Sequence, residues 1–436
     1  MKIAILGYGE QGRAAYDYWG RDTANQLTIC DRNETLVAPE GALTRLGPSY
    51  LKDLDQFDVL VRAPGLHPRD IAAANSDAIL TKVTTVTNEF LRVCPSFNII
   101  GVTGTKGKGT TSTLITRMLE AAGKTVHLGG NIGTPPLDLL NNKIQPDDWI
   151  VLELANFQLI DLHKSPHIAV CLLVVPEHLD WHADLQEYIT SKQQLFATQT
   201  SSDIALYYAD NENSKTVASA GQAAKIPYFA PPGAMVVDEY IAIDGQKICR
   251  IDEIKLLGKH NWQNVCAALT AVWQVTHDVA ALHKAIAAFE GLPHRLEPVR
   301  IVDQVRFYND SFAATPEAAI AALEAISGTK VLIVGGFDRQ LPLQSLANGL
   351  AEAAADLRKV VLIGQSRPRV AQALASAGYD NFVLSSAATM TEIVSEARHY
   401  AKSGDAVLLS PGFPSFDMFK NFEDRGLQFK AVVTNL

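Results

Sequence analysis

Short, almost wholly apolar runs recur along the chain, each closed by a glycine turn and followed by a segment whose apolar residues return every three to four positions. The first run, Lys2–Gly9, leads into a helix pattern at Arg13–Trp19, with further strand patterns at Leu27–Asp31 and Asp58–Val61. A second series opens after Cys94-Pro95 with Asn98–Thr103, a glycine-rich loop and a helix pattern from Lys108 to about Ala122. It continues with strand patterns at Trp149–Leu154 and Ile168–Val175, and with Ile241–Ile248, where Asp244-Gly245 between apolar runs predicts a β-hairpin. A third series begins near Leu296-Glu297-Pro298 and carries strands at Arg306–Tyr308, Lys330–Val334, Lys359–Ile363 and Ala406–Leu409 between alanine-rich helices. Short apolar strands alternating with amphipathic helices predict parallel βαβ units with right-handed crossovers. The expectation is an α/β chain of three domains, 1–95, 96–296 and 297–436, each built on a mainly parallel sheet. The outer two are Rossmann-like, and the central one is of the P-loop ATPase kind.

The length of 436 residues agrees with several domains rather than one. With 47% hydrophobic and 19% charged residues, and ordinary glycine and proline usage, the composition excludes disordered, collagen-like and disulfide-scaffold classes. A net charge of −9 without a polybasic cluster argues against nucleic acid or an anionic membrane as partner. Ile168–Val175, the longest uncharged apolar stretch, is far short of the roughly 20 residues that cross a bilayer. The N-terminus runs directly into a strand and lacks the apolar region of an export signal, so a cytoplasmic location is expected. Cys30, Cys94, Cys171, Cys249 and Cys266 are scattered without a C-x-x-C pair, which predicts buried free thiols.

Two glycine-rich turns carry candidate chemistry. Gly104-Thr105-Lys106-Gly107-Lys108-Gly109-Thr110-Thr111 lies between a strand and a helix, where converging backbone N–H groups and the helix N-terminus favour phosphate. Lys108 can span the β- and γ-phosphates. Gly109 stands where a hydroxyl residue usually ligates Mg²⁺, which moves that role to Thr110. In the first domain Gly7-Tyr8-Gly9-Glu10-Gln11-Gly12 follows a strand, and Asp31 ends the next one about 20 residues on. Taken alone, this is a dinucleotide fingerprint, and an NAD-dependent oxidoreductase is one reading of it.

The central loop resembles the G-T-x-G-K-[ST]-T loop of the ATP-dependent Mur ligases, and its G-K-G variant is similar to that of folylpolyglutamate synthetases. Further segments follow in that family's order: Gly130-Asn131-Ile132-Gly133, Glu153 to Gln158, Glu177 to His182, Lys192, Gly258 to Asn264, Pro293-His294-Arg295, Asn309-Asp310-Ser311, and Ser410-Pro411 with Ser415-Phe416-Asp417. The resemblance covers essentially the whole chain. Its ending, Phe416 to Gly426, is most similar to the branch that adds D-glutamate to UDP-N-acetylmuramoyl-L-alanine in peptidoglycan precursor synthesis.

The resemblance implies an amide ligase that uses ATP and Mg²⁺ to form an acyl-phosphate, then releases ADP and phosphate. It implies Lys108, Glu153, His178 and Lys192 as catalytic residues, with Thr110, Glu153, His178 and Lys192 around the metal and Lys192 carbamylated by CO₂. ATP contacts fall on Gly104 to Thr111, Asn264 (adenine), Arg295 and Asp310. The UDP substrate falls on Gly9, Glu10, Gln11, Gly12, Asp31, Arg32, Gly65 and Asn131. Arg339, Ser415 and Phe422 face the incoming amino acid, and a monomer is expected.

The chain departs from the family's patterns at the amino-acid pocket. N-D-S-K-A-T-N is here Asn309-Asp310-Ser311-Phe312-Ala313-Ala314-Thr315, which removes a lysine and a threonine, and the lysine of G-G-x-D-K is Arg339. Open alternatives are therefore a ligase for another amino acid such as L-glutamate, one for a folate-like acceptor, and a nucleotide-binding regulator that has lost catalysis.

Overall fold

The computed structural model describes every residue except position 341 and contains four sheets, three of them mainly parallel. The chain forms two compact units, Met1–Ile254 with Lys259–Phe289, and Lys255–Gly258 with Glu290–Leu436.

In the first unit, five parallel strands run in the order Leu43–Leu46, Gln26–Asp31, Lys2–Leu6, Val59–Arg62, Val83–Thr84. Ile3, Ala4, Ile5 and Leu6 are all inaccessible, as a strand covered on both faces by crossover helices must be. A six-stranded parallel sheet follows, in the order Ala224–Tyr228, Ile204–Tyr208, Ile168–Cys171, Ile99–Thr103, Trp149–Glu153, Val126–Gly130. The chain leaves Ile99–Thr103 toward one edge and later returns to its other side. Its carboxyl end therefore lies where the winding reverses, the position at which open α/β sheets bind ligands.

The apolar run Ile168–Val175 is not one strand. Pairing stops at Cys171, and the next four residues peel over the glycine-rich loop: Leu172 N–H donates to the Thr103 carbonyl at 2.9 Å, and Leu173 accepts from Thr105 N–H at 2.7 Å. The apolar pattern is explained by this cover, since Leu172 and Val174 are buried without being sheet residues. The expected hairpin is present as Tyr240–Ile243 with Gln246–Arg250, and Asp244 (φ 49°) and Gly245 (φ 72°) both take the left-handed conformation of a tight turn. Met235–Val237 adds a third antiparallel strand.

Arg62 joins the first two sheets. Fully buried, it donates to both oxygens of Asp161 from Nε and Nη2 at 2.7 and 2.6 Å, and to the carbonyls of Leu66 and Phe157 at 2.7 and 2.9 Å. Asn88 adds a second tie, donating to the Asp161 carbonyl and accepting from His163 N–H, both at 2.8 Å.

The second unit holds a six-stranded sheet in the order Glu297–Val302, Val305–Asn309, Ala406–Leu409, Lys330–Gly335, Leu357–Ile363, Phe382–Leu384. Only the first pair is antiparallel. That edge strand tolerates Pro298 because edge positions need not donate to the ladder. No helix among the described residues is long and apolar enough to cross a membrane.

Candidate active site

The central strand ends at Thr103, and only four residues separate it from the helix Lys108–Ala121, so the loop is forced tight. Two of its glycines are obligatory. A Cβ on Gly104 (φ 147°) would lie 2.6 Å from the Leu172 Cβ, and one on Gly107 (φ 88°) would lie 2.2 Å from the Asn264 Oδ1. Thr105 is pinned, its hydroxyl 2.7 Å from the Tyr188 hydroxyl and accepting from Val175 N–H at 3.0 Å. The first N–H groups of the helix have no partner within it, which leaves a partial positive charge at the loop.

Lysines converge here. Lys108 Nζ donates to the carbonyls of Gly104 and Thr105 at 3.0 and 3.1 Å, and Lys192 Nζ donates to the same Gly104 carbonyl at 3.1 Å. Lys192 is wholly buried and lies over the Tyr188 ring. Burial first, and the nearby Lys108 charge second, lower its pKa to about 7. Lys106 pairs with Glu177 at 3.2 Å. His178 (φ 57°) lies with Nε2 3.7 Å from the other Glu177 oxygen and its ring against Phe157. Burial lowers the His178 pKa against the opposing pull of Glu177 and Asp180, with Lys108 and Lys192 adding to the lowering. Its lone pair is therefore available near neutrality.

Thr110 is partly exposed, and its hydroxyl has no hydrogen-bond partner among the described residues. Thr111 is buried and turned to Asn264 at 3.5 Å, while Asn264 donates to Asn261 at 2.9 Å. Glu153, buried, ends the strand beside Val102 of the central strand and accepts from Asn131 Nδ2 at 3.0 Å. Asn131 thus lies beside a candidate metal ligand. Gly109 is buried inside the first helical turn.

At the N-terminal glycine turn, a Cβ on Gly12 would lie 2.1 Å from the Gly7 carbonyl oxygen, so the helix starts directly against the turn. Asp31 accepts from Tyr8 N–H at 2.7 Å, holding that turn, and its other oxygen accepts from Asn33 N–H at 2.8 Å in the segment after its own strand. Gly9, Glu10, Arg32 and Gly65 are exposed around it, and Gln11 is half-buried.

The remaining candidates lie in the second unit. Asp310 is buried, and that burial raises its pKa to about 7 although Ser410 Oγ and Leu296 N–H donate to it at 2.7 and 3.1 Å. The Arg295 guanidinium stacks 3.8 Å over Phe312, whose ring meets Phe422 edge-on. Ser415 is buried with an unpartnered Oγ near the carboxyl ends of the central strands. Arg339 is exposed and makes no ion pair among the described residues, whereas its neighbour Asp338 is held by Arg369.

Three residues of the first unit carried no role in the sequence reading. Tyr188 lies one helical turn before Lys192, a spacing that could have flagged it. Asn156 and Glu187 hold the two nitrogens of buried His182 at 2.8 and 3.1 Å, and no local pattern announces that pairing.

Family comparison gives the same outline. Residues 102–272 match the Mur ligase middle domain, and residues 294–413 match the Mur ligase glutamate ligase domain. UDP-N-acetylmuramoylalanine–D-glutamate ligase of Clostridium kluyveri is 36% identical, the alignment covering 100% of this chain and 97% of that protein. The enzyme of that name from Symbiobacterium thermophilum is 37% identical over 100% and 98%. The chain belongs to the Mur ligase family. Among solved Mur ligases, MurC of Thermotoga maritima aligns with a TM-score of 0.61 at 16% identity, covering 100% of this chain and 99% of that one. MurF of the same organism, solved in complex with ADP, gives 0.61 at 18% over 100% and 95%. This Mur ligase thus shares the three-domain α/β fold of its relatives.

Proposed function

We propose that this Mur ligase joins D-glutamate to UDP-N-acetylmuramoyl-L-alanine using ATP, in the cytoplasm and as a monomer, with functional domains at 1–95, 96–296 and 297–436. The full-length likeness to enzymes of that name supports the substrates. The observation that carries the chemistry is the convergence of Lys108 and Lys192 on the Gly104 carbonyl, beside the unpartnered Thr110 hydroxyl.

A carboxylate oxygen of the acceptor attacks the γ-phosphorus of ATP, and ADP leaves. The amine of the incoming amino acid attacks the resulting acyl-phosphate carbon, phosphate leaves, and the amine proton passes to solvent. Such transfer depends on positioning and charge neutralisation, which fits a site rich in cations and poor in nucleophiles. Loop N–H groups and Lys108 hold the phosphates, and Asn264 lies against Gly107 where the base would meet the loop.

The residues fit Mg²⁺. Thr110 offers a free hydroxyl, Glu153 a carboxylate with one oxygen engaged by Asn131, and His178 a neutral ring. Lys192 as an ammonium would repel the ion. As a neutral amine it can attack CO₂, forming an N–C bond and releasing a proton, and the resulting carbamate would offer an anionic oxygen to the ion. A Mg²⁺ ion held by these residues would supply charge neutralisation for the phosphate oxygens.

Asp31, Arg32 and the Gly9–Gly12 turn, with Gly65, would hold the UDP group. Asp310 and Arg295 would reach ribose and phosphate. Arg339, Ser415 and Phe422 would receive the amino acid. Phe312 and Ala314 in place of the family's lysine and threonine favour testing L-glutamate beside D-glutamate. Phosphate release measured with UDP-N-acetylmuramoyl-L-alanine and a panel of amino acids tests the reading. Release with D-glutamate above all others is expected, and none with any amino acid overturns it.

A further inference from the structure

Two clusters of nitrogen, oxygen and sulfur donors lie in the first unit away from the glycine-rich loop's own ligands, and their hydrogen bonds separate them. His67, His182 and Glu187 bring one donor atom each within 4.8 Å of the others. Both rings there are committed. His67 Nδ1 accepts from Arg69 N–H at 3.1 Å, which places its proton on Nε2, facing Glu187 at 3.4 Å. His182 Nε2 faces the Asn156 amide at 2.8 Å, leaving its Nδ1–H to Glu187. These rings present protons to the carboxylate, and a metal needs lone pairs.

Cys249, Glu253 and His283 differ. Cys249 is on the hairpin strand Gln246–Arg250, Glu253 on the turn Ile251–Glu253 and His283 on the helix Val279–Ala288. Cys249 Sγ is 3.7 Å from Glu253 Oε2, and His283 Nε2 is 3.2 Å from Glu253 Oε1. One donor atom from each of the three lies within 4.8 Å of the other two, against the roughly 3.3–3.6 Å at which a tetrahedral zinc with ordinary bond lengths holds sulfur, nitrogen and oxygen donors, so side-chain adjustment of about an ångström closes the set. The carboxylate is oriented in advance, because Arg250 N–H donates to Glu253 Oε2 at 2.8 Å. The other His283 nitrogen has no partner among the described residues and the ring is 40% exposed, so its proton can move to Nδ1 and free Nε2. Arg250 is paired with Asp252, leaving Glu253 and a Cys249 thiolate as two negative charges for one divalent ion.

We propose that Cys249, Glu253 and His283 bind a zinc-class divalent cation, with a water as fourth ligand, and so fasten the hairpin to the helix Val279–Ala288. Binding breaks the Cys249 S–H bond, forms a sulfur–metal bond and releases one proton to solvent. A thiolate, an imidazole and a carboxylate select zinc-class ions over Mg²⁺, so the site is chemically distinct from the phosphate-handling one.

The test uses the full-length protein stripped by a chelator and titrated with Co²⁺. A sulfur-to-cobalt charge-transfer band saturating at one equivalent is expected, with displacement by Zn²⁺. The band should vanish in Cys249→Ala, and His283→Ala should weaken Zn²⁺ binding more than about tenfold. Phosphate-release activity should persist in both variants, so failure of this site is distinguishable from failure of the ligase reading. Cobalt binding without the band, or a band of equal strength in Cys249→Ala, overturns the proposal. Should Cys249→Ala fail to fold, unchanged Zn²⁺ affinity in His283→Ala overturns it, since that half-exposed ring is removable without disturbing the core.

Discussion

Lys108 and Lys192, 84 positions apart in sequence, donate to one acceptor, the Gly104 carbonyl, at 3.0 and 3.1 Å. One amine enters from the loop's own helix and the other from the buried face of Leu185–Ala197. Lys108 therefore adds positive charge to the loop, while burial brings the Lys192 amine to a pKa of about 7.

Lys108→Ala is expected to lower phosphate release on the order of 10²-fold or more, as loss of one preorganised electrostatic donor does. Steady-state phosphate release checks it, and near-native turnover would refute the assignment of Lys108 to the transferring phosphate.

Lys192→Ala should be inactive and partly restored by added acetate or formate, which can occupy the place of a carbamate. Full activity without added acid would contradict that role. The same lysine predicts a pH effect. Its pKa is lowered from 10.5 to about 7 on folding, so between those values the unfolded chain binds more protons and stability rises with pH. The cost is complete below about pH 7. In CO₂-free buffer, Lys192→Met should gain most over the native protein at about pH 6, and the gain should shrink toward pH 10 in denaturant melts.

Thr110→Val should raise the Mg²⁺ concentration needed for half-maximal activity. An unchanged Mg²⁺ titration would direct attention to Thr111, although that hydroxyl faces Asn264.

Arg339→Ala should raise KM for glutamate while leaving KM for ATP nearly unchanged. A bidentate guanidinium suits a carboxylate, and Arg339 has its charge uncommitted among the described residues. Intact glutamate kinetics in the variant would remove Arg339 from the pocket.

Asp161→Asn leaves the Arg62 guanidinium buried without its counter-charge. Removing one partner of a buried ion pair costs about 3–5 kcal/mol, which should appear as a lower midpoint of urea unfolding. A midpoint within error of the native one would show that the carbonyls around Arg62 suffice.

Much of the fold was readable because strand and helix periods differ and glycine marks the turns between them. The hairpin at Asp244-Gly245 and the helix beginning at Lys108 follow from such local patterns. The segment Leu172–Val175 was misread because burial by a covering loop and burial by a sheet leave the same apolar run. Arg62 was left outside its strand, since nothing nearby in sequence indicates that Asp161 waits 99 positions away. Within the site, the loop's glycines were legible from conformation alone. The Asn131–Glu153 and Thr105–Tyr188 contacts were not, being products of sheet order and helix docking.

Arg62 and Asn88 tie the sheet that carries the glycine turn after Leu6 to the segment from Phe157 to His163, in the sheet whose central strand leads into the glycine-rich loop. On the function proposed above, a substrate anchored at that turn and reacting at that loop would be gauged as by a ruler. An acceptor one residue longer or shorter would present its carboxylate out of step with the phosphate, and would be rejected by length before any side chain was read.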